Sequence, residues 1–187
     1  YINKHGKGAL YLKHVEPILD HLNAKSIRPI LWHDMMTHWN SDELKSLALK
    51  SDLMAWGYTG HPDTTVSHYN TKHLKRFLEH GITLWGGTAY KGANAPNSDM
   101  TNIATRQSNA EAWMNVAQRL KFAGIIATGW SRHTAHSMQC EPIDSSLDSL
   151  VNIGVVLHDG HAPKSGIDAC VALLDELGEG ARFRACK

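Results

Sequence analysis

Ile125 to Arg132 reads IIATGWSR, an apolar, β-prone run that stops abruptly on a glycine, a tryptophan and an arginine. It has the character of a buried strand that delivers an aromatic wall to a ligand. Three earlier stretches share the construction: IRPILWHD (Ile27 to Asp34), DLMAWGY (Asp52 to Tyr58) and ITLWGG (Ile82 to Gly87). Strands of parallel sheets are covered on both faces and read as continuous apolar runs, and ligands gather at their carboxyl ends. One such tryptophan alone is most simply a core residue, because aromatic burial is the default. Recurrence at the same place in four successive units favours a shared mouth lined by Trp32, Trp56, Trp85 and Trp130.

Between these runs lie helical patterns. From Gly8 to about Lys25, Leu12, Val15, Ile18, Leu19 and Leu22 recur at three and four, as on a helix lying against a sheet. Asn40 or Ser41 can cap a second helix, with Asp42 and Glu43 in its first turn and Leu44, Leu47 and Leu49 on its apolar side. A third, about Ser67 to His80, packs through Tyr69, Leu74, Phe77 and Leu78 and stops at Gly81. An irregular stretch from Gly86 to Asp99 follows, of a length usually tied to function or motion. A fourth helix covers about Thr101 to Phe122, with Trp113 in the core. Pro142 starts another, through Leu147, Leu150, Val151 and Val155, and a last one runs from about Lys164 to Leu177.

Alternating strands and helices argue for right-handed crossovers and a parallel sheet, either open and doubly wound or part of an eight-fold barrel. No GxGxxG or phosphate loop follows any strand, since GGTAYKG has neither that spacing nor a helix start behind it. That absence counts against nucleotide binding and favours an α/β TIM barrel, whose active mouth is built from strand ends.

Length and charge narrow the partners. The chain has 187 residues, enough for one domain with a sizeable core, and a formal net charge of +1. Basic residues are scattered among acids, so neither nucleic acid nor a membrane surface is called for. No apolar run is long enough to span a bilayer, and YINKHGKGALY lacks the apolar core of a signal peptide, although one further upstream is compatible with it. Cys140, Cys170 and Cys186 are odd in number and lack metal spacing, which argues for a reducing, cytoplasmic compartment. The pairs His33/His38 and His158/His161 come without convergent carboxylates or thiols, so neither metal nor cofactor is expected.

The combination WHDM (32–35), WGY (56–58), WGGTAYKGANAP (85–96) and TGWSRHTAHSMQCEPIDSSLDSL (128–150) resembles the hexosaminidase D group of glycoside hydrolase family 20. These are TIM-barrel β-N-acetylhexosaminidases, and the resemblance covers nearly the whole chain. YKGANAP and TGWSR, with Cys140-Glu141 downstream, are its most specific parts. The family implies a substrate-assisted retaining mechanism, an exception to the usual two-carboxylate scheme. The substrate's acetamido oxygen attacks the anomeric carbon, a glutamic acid protonates the leaving oxygen, and a neighbouring aspartate orients the acetamido group.

By resemblance, Trp56 and Trp130 are pocket walls and Tyr58 is the acetamido-binding tyrosine, with Tyr90 ranked second for that role. Indoles stack on the apolar C–H faces of a sugar, and a phenol can hold the acetamido oxygen in line. Asp34, beside Trp32, could accept bonds from sugar hydroxyls or be a structural carboxylate. Arg132 and Glu141 could bind substrate, but pairing with each other to hold the last loop is the simpler role.

The family's adjacent Asp-Glu pair belongs at the end of the fourth barrel strand, before the first helix of this chain. Asp42-Glu43 and Asp175-Glu176 both fall in predicted helices and are read as solvated helix charges. Residues 1–187 are therefore expected to be βα units five to eight, the carboxyl-terminal half of one barrel domain. The amino-terminal half-barrel, with the acid pair, would be a partner in trans or upstream. The expected ligand is an N-acetylhexosaminide, N-acetylglucosamine or N-acetylgalactosamine, and a homo-oligomer is compatible. The competing expectations are a non-catalytic carbohydrate-binding module with the same aromatic pocket, and a barrel glycosidase without an acetamido requirement.

Overall fold

The computed structural model describes residues 1–91, 103–130 and 147–160. In chain order its elements are α1 (Ile2–Asn23), β1 (Ile30–Trp32), a 3₁₀ turn (Asp34–Met36), α2 (Ser41–Ala48), β2 (Asp52–Trp56), α3 (Thr71–Glu79), β3 (Leu84–Lys91), α4 (Ile103–Leu120), β4 (Gly124–Gly129) and α5 (Leu147–Asp159). The four strands form one sheet in the order β1-β2-β3-β4, and β1 pairs parallel to β2 with Ile30 opposite Asp52 and Trp32 opposite Met54. Between β3 and β4, Ala123 N donates to Leu84 O and Trp130 N to Lys91 O, so those strands also advance together. Spatial order follows sequence order, with no reversal of the kind that creates the crevice of a doubly wound sheet.

The chain divides into two compact units, described separately below. The first comprises Tyr1–Gly57, Pro62–Gly86 and Val116–Gly124; the second takes the described residues among Tyr58–His61, Gly87–Asn115 and Ile125–Lys187. The first buries Leu12, Val15 and Leu19 of α1, Leu44 and Leu47 of α2, Leu53 and Ala55 of β2, and Leu74 and Phe77 of α3. In the second, Ala110, Ile153 and Val156 form a cluster against which Tyr90, Ala127 and Leu157 pack. Trp113 is fully buried, as its place in the apolar stripe of α4 predicts.

Local chemistry sets the helix ends. The Asn40 side chain accepts from the backbone N–H of Asp42 and Glu43, while Glu43 accepts from the Asn40 N–H, a complete capping box at the start of α2. At the end of α3, Gly81 takes φ +80°, Ile82 N donates to Phe77 O, and Gly81 N donates to Leu78 O. This is a Schellman closure, in which glycine avoids the Cβ clash of the left-handed region.

Several expectations are corrected. The strand expected to open at Ile82 starts at Leu84 and does not stop at Gly87 but runs to Lys91, so Gly86 and Gly87 lie inside β3. Ile18 and Leu49 are exposed, at 51% and 80%, instead of joining the apolar faces of α1 and α2. Helix α3 starts at Thr71 behind the cap Asn70, so Tyr69 is buried from the preceding loop. On α5 the buried face is Ser149, Asn152, Ile153 and Val156, and Leu150 is exposed. The stretch from Gly92 to Asp99, the start of a helix at Pro142, the helix over 164–177 and all three cysteines lie outside the described residues.

Candidate functional site

In the first unit the carboxyl ends of β1 and β2 meet around one indole. Trp56 ends β2 and is half-buried; Trp32 ends β1 and is 43% exposed. Their rings stand edge to face, 6.4 Å apart at 88°. Two residues past Trp32, Asp34 turns its Oδ1 to the Trp56 Nε1–H at 3.0 Å. The Asp34 charge also acts on Tyr11, whose phenol pKa is raised, first by burial and then by that carboxylate. Trp32, Asp34 and Trp56 are thus brought together.

Two histidines complete the corner. His68, from the loop before α3, packs against Trp56 with centroids 4.3 Å apart and the rings tilted by 50°, and sets its Nε2 3.2 Å from the Trp56 carbonyl. His33 is fully buried, with Nδ1 3.4 Å from the Trp56 N–H and Nε2 3.2 Å from the His68 carbonyl. Its pKa falls to about 4, driven by burial and by the neighbouring His68, against the pull of the His68 and Met54 carbonyls and the Asp34 charge. The ring is neutral near pH 7.

The structure does not bring Trp85 to this corner. It is the second residue of β3, and its Nε1–H donates to Asp52 Oδ2 at 3.0 Å while Arg28 Nε holds Asp52 Oδ1 at 2.9 Å. Asp52 opens β2, so Trp85 sits at the opposite strand end from Trp56. Its ring also covers Gly124, where a Cβ would come within 2.8 Å of it. The lengthening of β3 gives that strand's carboxyl end to Tyr90 and Lys91 instead.

In the second unit Tyr58 faces Trp130, with centroids 5.9 Å apart at 53°. Trp130 follows β4 directly, is 40% exposed, and is held by its N–H on Lys91 O at 2.9 Å. The Tyr58 carbonyl accepts from Arg106 Nη1 at 2.5 Å, and burial lowers the pKa of that guanidinium. Asn109 ties Gly60 O and Thr88 Oγ1 together, and Thr128 Oγ1 donates to Thr88 O, so polar side chains lock this end of β3 and β4. Tyr90 lies over Gly129, where any Cβ would collide with its hydroxyl, and its carbonyl accepts from Ser149 Oγ at 2.7 Å. Lys91 is 1% exposed and its Nζ has no hydrogen-bond partner among the described residues.

Of the remaining candidates, Arg132, Glu141 and the pair Asp175-Glu176 lie outside the described residues. Asp42 and Glu43 occupy the first turn of α2, where Glu43 closes the capping box. His33 was weighed in the sequence only as one of a pair with His38, and His68 had no signal beyond being one of thirteen histidines. Among the described residues no group of three or more His, Cys, Asp or Glu is placed to hold a metal ion, and no described helix is long and apolar enough to cross a membrane.

The chain is similar to hexosaminidase D of Bos taurus, 28% identical over 165 residues, which are 83% of this chain and 47% of that protein. It is also similar to hexosaminidase D of Homo sapiens, 27% identical over 151 residues, or 76% of this chain and 30% of the human protein. The chain thus spans about half, or less, of the length of these curated relatives. No family model matches it.

Proposed function

We propose that this chain is the aminosugar-binding part of a β-N-acetylhexosaminidase, a glycoside hydrolase of family 20 type. The observation that carries the reading is the corner of Trp32, Trp56 and Asp34, with the Trp56 indole tied to the carboxylate at 3.0 Å. Indoles at a right angle give an apolar face and edge for a sugar's C–H groups, and the carboxylate beside them can take its hydroxyls. The similarity to hexosaminidase D and the sequential parallel sheet support it. On this reading the four strands are units five to eight of a TIM barrel, and the Asp-Glu acid pair is contributed from outside residues 1–187.

The chemistry is substrate-assisted. The acetamido oxygen attacks the anomeric carbon and the glycosidic bond breaks, the leaving oxygen taking its proton from the glutamic acid of that pair. Tyr58 holds the acetamido oxygen in line for attack through its hydroxyl. Trp130, packed against Tyr58, offers an indole face of its own. Tyr90 ranks behind Tyr58 for the acetamido role.

The test is hydrolysis of a chromogenic N-acetylglucosaminide. Residues 1–187 alone are expected to give no turnover, and the chain supplied with the other half-barrel is expected to give it. In that active form Tyr58→Phe lowers kcat/KM on the N-acetylglucosaminide by about 10²-fold and leaves any activity on the plain glucoside unchanged. Turnover by residues 1–187 alone, or equal loss on both glycosides, overturns the assignment.

A further inference from the structure

We propose that His68, oriented by Ser67 and backed by His33, is a positioning residue that fixes the Trp56 indole as a ligand wall; this deepens the aminosugar reading and rests on it. The Trp56 carbonyl can only accept, so His68 Nε2, 3.2 Å away, carries the proton. His68 Nδ1 is then an acceptor, and the Ser67 hydroxyl 3.0 Å from it is the donor that fixes this tautomer.

The same logic runs through His33. The His68 carbonyl, 3.2 Å from His33 Nε2, requires a proton there, which leaves Nδ1 to accept the Trp56 N–H at 3.4 Å. The other tautomer would aim Nδ1–H at the Met54 carbonyl, which already accepts the His33 backbone N–H at 3.1 Å, and would strand the His68 carbonyl against a lone pair. The first arrangement satisfies more groups.

Trp56 is thereby gripped on three polar groups and one face. Its N–H goes to His33, its carbonyl to His68, its Nε1–H to Asp34, and the His68 ring lies on its indole at 4.3 Å. These four contacts come from three residues, His33 and Asp34 just after β1 and His68 in the loop before α3, far apart in sequence. A wall that must meet a sugar face within a fraction of an ångström needs its rotamer locked by such supporting contacts.

The experiment follows the Trp56 indole N–H by NMR in ¹⁵N-tryptophan-labelled protein, with N-acetylglucosamine as the probe ligand. His68→Ala is expected to shift that resonance, speed its solvent exchange about tenfold and weaken the sugar's effect about tenfold, the scale of one lost hydrogen bond plus a lost ring contact. His68→Gln, whose amide can still donate to the Trp56 carbonyl, is expected to recover most of the protection. Ser67→Ala, which frees only the tautomer, gives a smaller change of the same sign and decides the matter should His68→Ala not fold. A Trp56 resonance and exchange rate unchanged in both His68→Ala and Ser67→Ala would overturn the proposal. If N-acetylglucosamine leaves the wild-type resonance unmoved, the aminosugar reading falls, while the exchange measurement still decides the positioning role.

Discussion

His33 carries a consequence for pH. Its folded pKa of about 4 lies below the ordinary 6.5, so between those values the unfolded chain binds the additional proton. Stability therefore falls as the pH drops from about 6.5 towards 4, with little further loss from this group below that. The full difference corresponds to roughly 3 kcal/mol, an order-of-magnitude figure. Urea denaturation at pH 7 and pH 4.5 is expected to show a steeper loss for the wild type than for His33→Gln, which cannot take up a proton. Equal slopes would mean that His33 protonates without cost. At this scale the sequence was legible where a residue's chemistry is local: a cap at Asn40 or Ser41, which the structure gives to Asn40, and Trp113 as core followed from their immediate neighbours. His33 and His68 were not legible, because they meet across 35 residues and nothing beside either marks the other.

Helix closures show how the elements were written. Gly81 at φ +80° closes α3 without a side-chain penalty, whereas Lys121 holds φ +57° at the end of α4 and Ser26 φ +59° after α1. Phe122 N donates to Ala117 O at 2.9 Å, so Lys121 occupies the place that glycine fills after α3. Lys121→Gly is expected to raise stability by about 0.5–1 kcal/mol, since relief of the left-handed strain outweighs the added freedom of the unfolded chain, and Gly81→Ala to lower it by about 1 kcal/mol. Both are read from denaturant midpoints at unchanged slope. Strand lengths were less legible than helix ends. Gly86-Gly87 read as a terminator, yet Thr88 and Ala89 are fully buried and β3 continues through them, since burial from both sides outweighs the weak strand preference of glycine. That extension moved one strand's carboxyl end from Trp85 to Tyr90. On α5 the phase was misjudged because Ser149 and Asn152, polar by type, lie on the buried side.

For the molecule as a whole, the parallel sheet was legible from the regular alternation of strand and helix, whereas its order β1-β2-β3-β4 was not, because alternation fits an open doubly wound sheet as well as part of a barrel. Which tryptophans would share a site was not, since equal positions in the sequence runs became opposite strand ends for Trp56 and Trp85. Lys91 belongs to this scale too. An amine 1% exposed, at the far end of β3, is out of reach of an acylating reagent for as long as its surroundings stay closed. In a timed acetylation read by mass spectrometry, Lys91 is expected to lag behind exposed lysines such as Lys121 and to be modified at the rate at which the fold opens. The buried amine thus serves as a clock, timing how often the interior admits solvent.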